Sequence, residues 1–98
     1  MPGVCRDGDA TTTGHGCDAT TTVTGPSTDV FCNSLGVERK TDPTASHDIT
    51  AGVGCVPHTS SISGGSSTVF VNSKAIARIT DACDSGAITG GSTNVFAG

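Results

Sequence analysis

The sequence has no tryptophan and no tyrosine, and only three phenylalanines and five basic side chains among its 98 residues. With so few large rings any core must be thin, and a chain this short buries only roughly 60–65% of its extended surface. With so few Lys and Arg and a formal net charge of −4, no basic surface is available to neutralise phosphates. This excludes nucleic acid and anionic membrane surfaces as equilibrium partners. No apolar run is long enough to span a bilayer, and the opening MPGVCRDGD has neither the basic nor the apolar region of a secretory signal. The expectation is folding in a reducing cytoplasm, with the odd set of five cysteines acting as buried thiols or metal ligands rather than disulfides.

What the chain does have is Ser, Thr and Gly in abundance, with Val, Ile and Thr alternating in short runs that suit strands. The expected fold is a single small all-β domain over residues 1–98, too thin in core to dispense with a staple. Its organisation is repetitive. Aligning TVTGPSTDVFCNSLGVERKTD with SISGGSSTVFVNSKAIARITD brings Val30-Phe31, Asn33-Ser34, Arg39 and Asp42 onto Val69-Phe70, Asn72-Ser73, Arg78 and Asp81, with no internal gap. A partial third copy ends in Val95-Phe96, and Arg6 and Asp9 at the N-terminus supply its missing half. Every Phe and every Arg then falls in one register, which implies three equivalent β-hairpins, one of them closed through the termini. Three hairpins without helical periodicity bury their Val and Phe against one another most simply as a pseudo-threefold cone, with the phenylalanines in the core. Cys5 and Cys32 read as small buried strand residues. The Arg-x-x-Asp pairs read as structural, either within a hairpin or between neighbours.

The segments after the three repeated aspartates carry His15, His47 and Cys83, and a fourth candidate, His58, begins the run that descends again. Together they form a His3Cys set suited to tetrahedral Zn, with Fe as the second choice. A rival set, His15-x-Cys17 with Cys55-x-x-His58, is also spaced like paired ligands. The first draws one residue from each repeat end, and a closed site of this kind contributes on the order of 10 kcal/mol of apparent folding free energy.

The segment GSSTVFVNSKAIARITD, its recurrence and the His3Cys set resemble the PAAR-repeat family. That family's pattern runs Gly-Ser-Pro-Thr-Val, Asn-Gly-Lys-Pro-Ala-Ala-Arg, Gly-Asp. Gly65, Ser66, Thr68, Val69, Asn72, Lys74, Ala77, Arg78 and Asp81 match it, while Ala75, Ile76 and Thr80 depart from it. The resemblance implies a cone with a metal near its apex, held by His15, His47, His58 and Cys83. It implies a non-enzymatic tip that caps and sharpens the trimeric β-helical spike of a contractile injection machine, either a phage tail or a type VI secretion apparatus. The tip would be a monomer on a trimer, meeting the target outer membrane only transiently, and the 98-residue length suits a bare virion tail tip assembled in the host cytoplasm. The turns Asn33-Ser34 and Asn72-Ser73 are the expected spike-facing elements. The competing class is a small zinc-dependent hydrolase, with Asp18, Asp48 or Asp84 as base, although four protein ligands would close the site to water.

Overall fold

A computed structural model describes all residues, Met1–Gly98. It is all-β, with ten short strands: β1 (Ala10–Thr12), β2 (Thr20–Thr22), β3 (Phe31–Cys32), β4 (Leu35–Gly36), β5 (His47–Ala51), β6 (Gly54–His58), β7 (Phe70–Val71), β8 (Lys74–Ala75), β9 (Ala82–Cys83) and β10 (Gly86–Ala87). Each strand pairs antiparallel with its sequence neighbour, giving five two-stranded ladders. Isolated bridges stitch the ladders into one body of 41 × 24 × 21 Å.

The Asn-Ser dipeptides occupy the two-residue turns of β3–β4 and β7–β8, and all four residues have positive φ, between 53° and 67°. This is the backbone that hairpin turns matching strand twist require, and Asn tolerates it well. The equivalent pairing for the third copy is the bridge Gly3↔Phe96, which brings the termini side by side: the Ala97 N–H donates to the Pro2 carbonyl at 3.1 Å.

The ascending segments that follow exchange hydrogen bonds in a closed ring. Glu38 N–H donates to Cys5 O, Cys5 N–H to Ala77 O, and Ala77 N–H to Glu38 O, at 2.9–3.0 Å. In all three segments the Arg-x-x-Asp pair is an internal clamp. Arg6, Arg39 and Arg78 each donate from the backbone N–H and Nε to one carboxylate oxygen and from Nη2 to the other. The Nη1 groups of Arg6 and Arg39 reach on to Asn33 and Asn72 in the neighbouring turns.

Two buried clusters form the core, and their members fall at matching repeat positions. One holds Val4, Val37 and Ile76 with Cys32, Val71 and Ala97. The other holds Val23, Ile62 and Ile88 with Cys5, Ala77 and Cys83. Cys5 and Cys32 are buried thiols, as expected of small strand residues. The third residue in the Cys5/Ala77 register is Glu38, fully buried with neither carboxyl oxygen hydrogen-bonded. Burial, reinforced by Asp42, pushes its pKa up to about 9, so the carboxyl is neutral in the folded chain.

The phenylalanines depart from the expectation of a buried ring. Phe31, Phe70 and Phe96 are 62%, 59% and 50% exposed. The reason is strand alternation: Cys32, Val71 and Ala97 turn inward, so the residue immediately before each must face out. The cysteines depart as well, since Cys17 and Cys55 form a disulfide rather than remaining thiols.

Candidate metal centre

Three connections of unequal length rise from the clamped segments and carry the site. His15 lies in the loop between β1 and β2. His47 opens β5 and His58 closes β6, facing each other as the first pair of that ladder. Asp84 sits in the tight turn of β9–β10 at φ 54°, a left-handed conformation that Asp accepts more readily than most residues. One ligand atom from each of His15, His47, His58 and Asp84 can be chosen so that all four lie within 4.8 Å of one another.

The orientation of the rings is set by the backbone. His15 Nδ1 is 3.0 Å from the Gly16 carbonyl and His47 Nδ1 is 2.9 Å from the Ala45 carbonyl. A carbonyl only accepts, so each Nδ1 carries the proton and each Nε2 is free to present a lone pair to the centre. The Nε2 atoms of His15 and His47 are 3.2 Å apart. Asp84 Oδ2 lies 2.8, 2.9 and 3.4 Å from the Nε2 atoms of His15, His47 and His58. His58 Nε2 is buried and makes no hydrogen bond.

Four electron-rich atoms crowded in this way repel one another unless a cation sits among them. The four distances from Asp84 to the histidines and between His15 and His47 run from 2.8 to 3.4 Å, around the edge of about 3.3 Å that a tetrahedral zinc with ligands near 2.0–2.1 Å would demand. The residues fit a metal ion: three imidazoles and a carboxylate form a borderline N/O donor set, and the Nδ1 protons are already committed to carbonyls.

The His15 pKa is raised, first by its hydrogen bond to the Gly16 carbonyl and then by Asp84, against desolvation. Burial alone would raise the Asp84 carboxyl, but hydrogen bonds from His15 and His47 outweigh it and hold the carboxyl below the ordinary range.

The structure thus brings together the three expected histidines and corrects the fourth member. Cys83 is fully buried, its side chain packed with Cys5, Val23, Ile62, Ala77 and Ile88, and desolvation raises its thiol pKa, which disfavours the thiolate a metal needs. Its neighbour Asp84 takes the position instead. The signal lay in the sequence as an Asp adjacent to the supposed ligand in a turn-forming pair, Asp84-Ser85. The rival set is also displaced, because Cys17 and Cys55 are bonded to each other at a Cα–Cα distance of 6.1 Å. That disulfide ties the His15 loop to β6, the strand that ends in His58. Asp18 and Asp48 remain outside the group. The carboxylate of Asp18 instead accepts the Asp48 backbone N–H at 2.7 Å.

Asn33, Ser34, Asn72 and Ser73 are solvent-exposed. The Asn33 Nδ2 donates to Asn94 and the Asn72 Nδ2 to Asp29, linking each turn to a neighbouring segment. No family model and no characterised protein sequence matches the chain.

Proposed function

We propose that this chain is a structural tip that caps the trimeric β-helical spike of a contractile injection machine, with zinc held by His15, His47, His58 and Asp84. The observation that carries the reading is the placement of Phe31, Phe70 and Phe96. All three stand exposed at one repeat register on segments whose continuations close a three-membered hydrogen-bond ring. A soluble chain with so few large apolar residues gains nothing by exposing all its phenylalanines at equivalent positions unless a partner covers them. A partner with threefold symmetry suits a motif repeated three times, and the blunt end of a trimeric β-helix presents three unpaired strand edges that need covering. The register, the clamps and the resemblance to PAAR repeats support a pseudo-threefold cone with the phenylalanines at its base.

Zinc in the His3Asp group would tie the three unequal connections together at the other end, a closed site with a structural role. A zinc hydrolase is the alternative. It would require Asp84 to leave the metal and act as base while water takes its place.

The test is co-purification with a trimeric spike protein, read by native mass spectrometry. One tip per trimer and one zinc per tip are expected. Replacing Phe31, Phe70 and Phe96 together by Ser should abolish spike binding while zinc content stays at one per chain. Undiminished binding by that variant would overturn the docking reading.

A further inference from the structure

The three arginines are all paired with aspartates, whereas Lys40 and Lys74, the other two basic side chains of the whole sequence, make no salt bridge. Both line the single pocket of the molecule, a groove of about 300 Å³ bounded also by Thr41, Phe70, Ser73 and Ala75. A chain of net charge −4 has thus gathered all its unpaired basic side chains beside one exposed phenylalanine.

This chemistry belongs to one seam and not to the repeat. The backbone contact that builds the groove, Lys40 N–H to Ala75 O at 2.8 Å, occurs twice more, as Asp7 N–H to Gly36 O and Ile79 N–H to Gly3 O, both at 2.9 Å. At those seams the positions matching Lys40 and Lys74 are Asp7 with Leu35, and Ile79 with Pro2. Identical backbone therefore carries a dibasic seam, an acidic and apolar seam, and a wholly apolar seam. Packing does not require the lysines, since the other two seams close without them. Two like charges lining one groove are unfavourable unless an anion answers them.

We infer that the Lys40–Lys74 seam receives an aspartate or glutamate of the docked partner, its carboxylate between the two ammonium groups and an adjacent apolar side chain on Phe70. The occupant rests on the docking reading above. The inference goes further in assigning the chemistry of the partner surface and in making one seam of the three the charged anchor. Opposite charge across a docked face governs encounter rate and partner choice, and it is sensitive to salt.

The experiment measures affinity for the trimeric spike that co-purifies with the chain, at about 50 mM and about 500 mM salt. Lys40→Glu with Lys74→Glu should weaken binding at least tenfold at low salt, with the deficit narrowing at high salt. Lys40→Arg with Lys74→Arg should bind as the parent does. Zinc content verifies folding of each variant, and Lys40→Gln with Lys74→Gln gives the same reading should charge reversal disturb the fold. A zero-length carbodiimide cross-link should join Lys40 or Lys74 to a spike carboxylate. Parent-like affinity of the charge-reversed and neutral pairs would overturn the seam assignment and leave docking intact. A parent chain that binds no spike would overturn both.

Discussion

The half of the molecule around the ring and the half around the candidate metal centre are built on opposite plans. In the first, three segments repeat the same clamp, the same hydrogen bonds and the same inward positions, and inside the ring the chemistry departs from the repeat at Glu38. In the second, nothing repeats: a loop of β1–β2 brings one histidine, the long hairpin β5–β6 brings two, and the short hairpin β9–β10 brings an aspartate. Repetition gives each clamped segment identical neighbours, so the core there is cooperative without help. The unequal connections have few buried apolar residues among them, and their convergence depends on polar groups that would repel without a cation.

That contrast is broken most severely by removing a ligand. His47→Ala or Asp84→Ala should abolish stoichiometric zinc and lower unfolding stability by up to about 10 kcal/mol, the scale of a structural zinc site. Cys83→Ser should keep zinc at one per chain, because its side chain lies in the core. Inductively coupled plasma mass spectrometry and denaturant titration read both. Loss of zinc in Cys83→Ser with retention in Asp84→Ala would reverse the ligand assignment.

A smaller effect probes the single discord in the ring half. Glu38 holds its proton to a pH of about 9 in the folded chain, whereas the unfolded chain releases it near the ordinary value of 4.5. Between those values the unfolded state binds fewer protons, so this group's contribution to stability falls as pH rises, by about 3 kcal/mol at pH 7 relative to acid. Glu38→Gln should remove that slope and gain a comparable amount at pH 7. Matched chemical denaturation of the two proteins across pH 5–9, in the same metal state, isolates the difference. Parallel pH profiles would show that Glu38 is ionised and compensated when folded.

The smallest effect sharpens the equivalence of the repeats. Gly8, Thr41 and Thr80 hold φ of 84°, 81° and 80° at matching positions of the three clamps. A β-branched residue is strained there and glycine is not. Thr41→Gly and Thr80→Gly should each stabilise by up to about 1 kcal/mol, and Gly8→Thr should cost a similar amount, read as shifts in the denaturation midpoint.

Much of the ring half was legible in the spacing of rare residues. Phe, Arg and Asp in one register identified the hairpins, the Asn-Ser turns and the pairing of the termini, because a repeated backbone needs repeated local chemistry. The three histidines were legible for the same reason, as borderline ligands following each clamp or opening the next descent. Four features were decided by tertiary structure alone. Which of two adjacent residues faces the core is a matter of strand parity, and spacing does not reveal it. Parity sends Cys32, Val71 and Ala97 inward and the phenylalanines outward, and Cys83 enters the core while the turn that follows delivers Asp84 to the three histidines. The Cys17–Cys55 bond depends on two excursions of different length passing each other, and the burial of Glu38 on its sharing a register with Cys5 and Ala77. Sequence determined which segments are alike, since likeness is local. The fold decided which side chains meet, because meeting depends on the direction each segment faces once the others are in place.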